Sequence, residues 1–150
     1  MSLAYLMFLK RKREGKIKGR GCADGRPQQE YIMKLESSAP TVKPLALFIS
    51  CMIDAIEGRS VAITDIPGAF LSAEWPKTAP PCYLKFEGIM VDLICQIIPA
   101  YKKLIKYSGK RDQHGKRRQW LVGRVTKAIY GTLLGAILFY NKLKKELENM

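Results

Sequence analysis

The stretch VAITDIPGAF, from Val61 to Phe70, is the one on which the fold prediction depends. Four apolar or β-branched residues precede Asp65, and a Pro-Gly pair follows it closely. Runs of this kind favour a buried strand, and Pro-Gly favours a turn. We therefore predict a strand over residues 59–64 that ends at Asp65, then a turn and one helical turn within residues 65–74.

A helix is predicted directly before this strand. Pro44 suits the first position of a helix, and Gly58 suits the residue just after its end. The apolar residues between them recur at steps of three and four, so we expect a helix whose apolar face packs inward. This face consists of Leu45, Phe48, Ile49, Met52, Ile53 and Ile56.

A basic two-stranded hairpin is predicted ahead of the helix. Residues 4–11 suit a short helix or strand, Gly15 suits a turn, and residues 16–22 suit an extended segment. The next residues, GCADGRPQQ, are rich in turn formers, and residues 29–33 are predicted as the returning strand.

Beyond Phe70, helices and strands alternate irregularly. The alternating pattern CYLKF predicts a strand over residues 82–86, and QWLVGRV predicts another over residues 119–125. Residues 88–99 suit either a buried helix or a strand, and the basic residues 101–118 suit a hairpin or a mobile loop. An amphipathic helix is predicted from Gly135 onward. The order predicts one α+β domain of 150 residues.

The charge is high and unevenly distributed. The chain has 26 Lys plus Arg against 13 Asp plus Glu, a formal net charge of +13. Seven basic residues fall within Lys10–Arg20 and ten within Lys102–Lys127, whereas residues 35–100 hold four against seven acids. This segregation predicts a positive rim that attracts nucleic acid or anionic lipid. A basic protein without such a partner is the plainer alternative.

Cysteine usage and hydropathy indicate an intracellular protein that is not secreted, in the cytoplasm or the nucleus. No C-x-x-C spacing occurs and His114 lies in a polar segment, so we expect no zinc site. Residues 45–56, the longest apolar run, are too few to cross a bilayer. Reduced thiols, most of them buried, are expected of the four cysteines. They are Cys22, Cys51, Cys82 and Cys95.

Asp65 itself allows two interpretations. An aspartate after a strand is commonly a turn former or a helix N-cap. A carboxylate held at the end of a rigid strand also suits Mg²⁺, which takes one or two protein carboxylates together with substrate phosphates.

Four segments resemble, in order, the motifs of copia-type retrotransposon reverse transcriptases. They are KGRGCADGRPQQEYI, SAPTV, AITDIPGAFL and KAIYGTLLGAILFYNKL, and the similarity extends over residues 7–147. The resemblance implies an RNA-directed DNA polymerase with a partial fingers–palm fold, helices and a basic hairpin packed on an incomplete antiparallel sheet. Residues 7–41 would be the fingers hairpin and loop, and residues 42–150 a partial palm with a basic insertion near 101–118.

The resemblance also implies site residues and partners. Asp65 would be the first catalytic aspartate and would bind Mg²⁺ together with the backbone carbonyl of Ile66. Lys18 and Arg20 would contact the triphosphate of a deoxynucleoside triphosphate, unless they are merely solvated charges. Ala69 and Phe70 would contact the nucleotide, although Phe70 is equally well interpreted as a core residue. Tyr130 and Gly131 would lie beside the RNA or DNA template-primer.

The chain departs from the family at its catalytic carboxylates. The family carries the remaining aspartates in a Y-V-D-D turn downstream of its Y-G-L block, and no Asp-Asp pair occurs here. We therefore expect a truncated domain that is inactive alone, because one carboxylate does not hold two ions. The palm sheet edge beside residues 59–65 would be uncovered and open to association. The alternative is a non-catalytic basic nucleic-acid-binding module.

Overall fold

The computed structural model describes residues 2–33, 37–111 and 115–150, and it has the predicted α+β composition. Its five strands form one sheet in the order β2-β1-β3-β5-β4. The bounds are Ser2–Arg11 (β1), Ile17–Ala23 (β2), Tyr83–Glu87 (β3), Lys106–Arg111 (β4) and Arg117–Arg124 (β5).

The sheet is mixed, which corrects the predicted antiparallel sheet. Strands β1 and β3 run parallel, with Leu3 opposite Leu84, whereas the other neighbours are antiparallel. Parallel neighbours need a long crossover connection. The connection between β2 and β3, residues 24–82, provides it and contains the VAITDIPGAF stretch.

Four α-helices with defined bounds lie between and after the strands in the described ranges. Their bounds are Pro44–Glu57 (α1), Ala69–Ser72 (α2), Ile89–Ile97 (α3) and Leu133–Glu148 (α4). Two short 3₁₀ helices cover Arg26–Glu30 and Pro99–Leu104. The undecided segment 88–99 is thus a helix, and the terminal helix begins two residues before Gly135.

A basic two-stranded hairpin is present, but it is not the predicted pair of strands, because the extended segment at residues 17–23 pairs with the segment before it and not with residues 29–33. Strand β2 pairs with β1, and the chain turns at Gly15, whose φ is +80°. The predicted returning strand at residues 29–33 is wrong. The backbone N–H of Gln28 bonds to the carbonyl of Gly25 instead, within a 3₁₀ turn that has Pro27 at its start. The N–H groups of Tyr31 and Ile32 both donate to the carbonyl of Gln28, so residues 29–33 form the end of this 3₁₀ helix and the turn after it.

Helix α1 has the predicted bounds but not the predicted packing. Gly58 ends it with a left-handed φ of +63°. All fourteen residues of α1 are described and none is buried, with Phe48 66% and Ile56 81% exposed. A repeat of three and four residues predicts one apolar side, but it does not specify which surface covers that side.

The predicted strand at residues 59–64 is wrong as well. These described residues have no regular secondary structure, and Ile63 is 96% exposed. The edges of the sheet are β2 and β4, so the expected open edge beside residues 59–65 is not formed. A β-branched run forms a strand only where a neighbour offers hydrogen bonds, and residues 59–64 have no such neighbour among the described strands.

The remaining strand predictions hold. The segments CYLKF and QWLVGRV form β3 and β5, and the basic residues 101–118 contribute β4 and the start of β5. His114 lies outside the described residues. Of the four free cysteines, Cys82 and Cys95 are buried, whereas Cys51 is exposed on α1, contrary to the expectation.

The core lies on one face of the sheet. Leu3 and Leu84 pack there with Cys82 and Val125, while Val91 of α3 packs in a second cluster with β5. Within the described ranges, no helix has the length and apolarity needed to cross a membrane.

Candidate functional site

A cleft of about 680 Å³ lies between β2, the turn before α2 and the segment before α4. It brings together seven of the eight site residues predicted from the sequence, although they come from three separate motifs. These are Lys18, Arg20, Asp65, Ile66, Ala69, Phe70 and Tyr130. The eighth, Gly131, follows Tyr130 and packs against the end of β2.

The turn that carries Asp65 is shaped by the glycine after it. Gly68 has a left-handed φ of +63°, which suits a residue without a Cβ, and its carbonyl accepts the first hydrogen bond of α2 from Leu71. Lys142 of α4 then donates to the carbonyl of Ser72 at 2.8 Å. The turn is thereby anchored to α4, with Asp65 exposed at its start.

Two aromatic rings form one wall of the cleft. Phe70 and Tyr130 are stacked, with ring centroids 5.7 Å apart and planes 20° from parallel. Phe139 of α4 meets Phe70 edge-on at 6.0 Å. Phe70 is half-buried, so it packs against the helix and also lines the cleft.

The first and last motifs are joined behind this wall by close backbone contact. The N–H of Ala23 donates to the carbonyl of Tyr130 at 2.8 Å. Gly131 has φ +89°, and a Cβ built on it would lie 2.1 Å from the carbonyl oxygen of Ala23. Only glycine fits such an approach. Gly131 therefore holds the cleft together by its backbone.

Gln28 is a site-supporting residue that sequence reasoning missed. Its side chain is 1% exposed, and Oε1 accepts a hydrogen bond from the N–H of Leu133 at 2.8 Å. Leu133 is the first residue of α4, whose opening N–H groups have no partner inside the helix. No spacing rule links residues 105 positions apart, so the sequence contains no local signal for this contact.

The charges of the cleft favour an anion. Lys18 and Arg20 are exposed, and Asp65 is the one acidic side chain among the described lining residues. Lys18 lies opposite Lys10 and Arg20 opposite Phe8 in the β1–β2 ladder, so the hairpin holds both cations on one face. Two cations against one carboxylate suit a phosphate-rich ligand.

Asp65 is the only carboxylate that lines the cleft among the described residues. Among them, no group of three or more His, Cys, Asp or Glu side chains is placed to hold a metal. Asp65 alone suits a Mg²⁺ ion that receives its other ligands from phosphates and water. A two-metal site would need carboxylates beyond those described here.

A scan against protein-family models and searches of curated proteins and of solved structures found no match to this chain.

Proposed function

We propose that this chain is the fingers and first palm portion of a copia-type reverse transcriptase, and that its cleft binds a deoxynucleoside triphosphate with Mg²⁺. The observation that carries the proposal is the convergence of three separate motifs on one cleft. Residues that the resemblance alone nominated lie around the same 680 Å³ space. An intracellular location, cytoplasmic or nuclear, belongs to the same proposal.

Each wall of the cleft would contact a different part of the nucleotide. Lys18 and Arg20 would neutralise the triphosphate, since cations stabilise charge on phosphate oxygens. Asp65, with the carbonyl of Ile66, would hold the metal. Phe70, next to Ala69, would lie under the sugar, where an aromatic ring excludes a 2′-hydroxyl. Tyr130 and Gly131 would lie beside the template base of the template-primer.

The parent reaction is nucleotidyl transfer. The primer 3′-oxygen forms a bond to the α-phosphorus, and the bond from that phosphorus to pyrophosphate breaks. The catalytic unit for this step includes more carboxylates than Asp65, and losing part of such a unit removes most of its rate. We therefore propose that this chain binds the nucleotide but does not extend a primer alone.

Binding of a fluorescent deoxyadenosine triphosphate, measured by anisotropy with and without Mg²⁺, tests the proposal. Asp65→Asn should remove the Mg²⁺-dependent part of the affinity. Asp54→Asn is the matched control, because it removes the same charge from α1, outside the cleft. The two cations are tested with a double variant, Lys18→Ala/Arg20→Ala. It should weaken nucleotide binding at least tenfold more than the control double variant Lys12→Ala/Arg13→Ala, whose residues lie at the hairpin tip.

Two results would contradict the proposal. Equal nucleotide affinity in the Asp65→Asn and Asp54→Asn proteins would exclude a metal role for Asp65. Extension of oligo(dT) on poly(rA) by the purified chain, abolished by Asp65→Asn, would overturn the expected inactivity. Salt-sensitive nucleic-acid binding without any nucleotide binding would favour the alternative of a non-catalytic basic module.

A further inference from the structure

A second cavity, of about 580 Å³, adjoins the 3₁₀ turn that contains Gln28. It shares no lining residue with the cleft, and none of its described lining residues is charged. Apart from Gln28, they are the apolar or aromatic residues Tyr31, Ile32, Trp75, Pro80, Cys82 and Leu134. We call this space the apolar cavity. A largely apolar space with few polar groups is the usual form of a small-molecule site.

One wall of the apolar cavity is held in place by the core. Trp75 packs against the core cluster that contains Cys82, which is 1% exposed. The indole N–H of Trp75 donates to the carbonyl of Pro80 at 3.3 Å, and its backbone N–H donates to the carbonyl of Thr126 at 2.9 Å. These bonds fix the orientation of the indole ring, so this wall exists before any ligand binds.

Gln28 supplies the amide group of the apolar cavity, and its neighbours fix the orientation of that amide. Oε1 accepts a hydrogen bond from the N–H of Leu133 at 2.8 Å. The backbone carbonyl of Gln28 accepts from the N–H groups of Tyr31 and Ile32. Because a backbone N–H needs an acceptor, the contact with Leu133 identifies the side-chain oxygen, and the remaining amide atom is the donor Nε2.

The donor Nε2 is directed at the apolar cavity. It donates to no described residue, although Gln28 is 1% exposed. In the described part of the chain, every fully buried side-chain nitrogen or oxygen has a partner. Nε2 is therefore not fully buried, and the space that Gln28 lines is the apolar cavity. A polar group in such a place is costly without a hydrogen bond, so an acceptor inside the cavity would be favoured.

We propose that the apolar cavity binds a neutral aromatic molecule that carries a carbonyl group. The carbonyl oxygen would accept a hydrogen bond from Nε2 of Gln28, and the aromatic ring would lie against Trp75 and Tyr31. A carboxylate fits less well, because no cation is present among the described lining residues. The volume of about 580 Å³ falls within the range of small-molecule sites, about 300–1,000 Å³.

The inference does not depend on the proposed nucleotide site. The cleft presents Lys18 and Arg20 to an anion, whereas the lining of the apolar cavity suits an uncharged ligand. Nucleotide binding tests the cleft and does not involve Gln28 or Trp75. The apolar cavity would bind its ligand even if the cleft bound no nucleotide, and the two proposals can fail separately.

Prodan, a neutral naphthalene ketone whose emission reports the polarity around it, is the probe. The full chain would be titrated into prodan at pH 8, and the dissociation constant would be obtained from the change in emission. Competition then gives the affinities of 2-acetylnaphthalene and 2-ethylnaphthalene, which are similar in shape and differ in the carbonyl group. Water competes for the same N–H groups, so the ratio of these two affinities measures the hydrogen bond to the ligand.

Gln28→Glu separates ligand binding from the support of α4. Its carboxylate still accepts the hydrogen bond from the N–H of Leu133 but has no N–H group to donate. The preference for 2-acetylnaphthalene over 2-ethylnaphthalene should fall by about threefold to tenfold, the range expected for one hydrogen bond. Gln28→Met, which has a similar shape and no N–H group, should lower the preference in the same way.

Two neighbouring residues provide a matched pair that tests the location. Ile32→Trp places a larger side chain in the lining and should weaken prodan binding by at least about fivefold. Met33 is exposed and does not line the cavity, so Met33→Trp should change the affinity by less than about twofold. The double variant Phe48→Glu/Met52→Glu should also bind prodan normally, which excludes the exposed apolar side of α1 as the binding site.

Several outcomes would overturn the inference. An unchanged ligand preference in Gln28→Glu would mean that Nε2 has no role. Equal prodan affinity of Ile32→Trp and Met33→Trp, or loss of binding in Phe48→Glu/Met52→Glu, would place the probe elsewhere. Tighter binding of 2-naphthoate than of 2-acetylnaphthalene would indicate capture by surface charge. Circular dichroism would verify folding, and the pair Ile32→Trp and Met33→Trp decides the matter if the Gln28 variants do not fold.

Discussion

The buried amide of Gln28 accepts, through Oε1, a hydrogen bond from the backbone N–H of Leu133 at 2.8 Å, across 105 residues of sequence. This contact joins the 3₁₀ turn after the β1–β2 hairpin to the first residue of α4. The hairpin supplies Lys18 and Arg20, and the segment before α4 supplies Tyr130. Gln28 therefore positions two walls of the cleft without lining it.

Loss of this contact should destabilise the fold. Gln28→Ala leaves the half-buried N–H of Leu133 without its partner, which costs about 1–3 kcal/mol. Urea denaturation followed by circular dichroism measures the free energy of unfolding. Gln29→Ala is the control, because Gln29 is exposed and its loss should change stability by less than about 0.5 kcal/mol. Equal stability of the two variants would rule out a capping role for Gln28.

Substitution of Gly131 should cost more than substitution of another left-handed glycine. Gly131→Ala and Gly58→Ala both place a Cβ at positive φ, which costs about 1–2 kcal/mol. Only at Gly131 does the new atom meet a backbone carbonyl, at 2.1 Å, whereas the space around Gly58 is open. The clash should add about 1–3 kcal/mol to the loss at Gly131. Thermal melts of both variants would check this, and similar melting temperatures would count against the tight approach to Ala23.

Asp92 should make stability depend on pH in the acid range. A hydrogen bond from the Gln119 side chain, with help from Lys116 at 3.2 Å, lowers the pKa of Asp92 below its ordinary value of 3.8. The stabilisation is complete above the ordinary value and is lost as the pH falls through the lowered pKa. The stability difference between wild type and Asp92→Asn should therefore be constant near neutral pH and shrink below about pH 3.8.

Urea denaturation at pH 6 and at pH 3 would measure this difference. A difference that stays the same or grows in acid would mean that the carboxylate does not act as described.

The exposed apolar side of α1 should promote association without contributing to stability. The double variant Phe48→Glu/Met52→Glu removes exposed apolar surface, and the new residue, glutamate, is a good helix former. The free energy of unfolding should change by less than about 0.5 kcal/mol per site, whereas Leu3→Ala in the core should cost about 2–5 kcal/mol. Sedimentation velocity should show less concentration-dependent association. A stability loss like that of Leu3→Ala would show that α1 is buried in solution.

The local sequence pattern predicted the structure correctly where that structure depends on interactions between residues close in the chain. The bounds of α1 follow from Pro44 and Gly58, which act within one turn of the helix. Strands β3 and β5 follow from alternation, and the turn at Gly15 follows from its backbone freedom. Pattern failed at residues 59–64 and 29–33, because a strand needs a partner and a pattern does not supply one.

The site was nominated by motif resemblance and assembled by long-range contacts. Resemblance named Asp65, Phe70 and Tyr130 separately, and the fold stacks the last two at 5.7 Å. It did not name Gln28, because the contact of Gln28 with Leu133 depends on how two distant segments pack. The sequence also could not show which residues of different strands share a face of the sheet, because this depends on strand register and strand order.

By itself, then, the sequence determined the α+β class, the segregated positive charge and the bounds of α1, and its family resemblance nominated the residues of the candidate site. Only the tertiary structure decided that β1 and β3 run parallel and that α1 has no cover among the described residues. It also decided that Trp120 of β5 shares a face of the sheet with Lys85 of β3 and Lys106 of β4. The physical reason is the difference in the range of the interactions involved. Caps, turns and periodicity act over a few residues, whereas strand pairing and burial join positions that the chain alone leaves far apart.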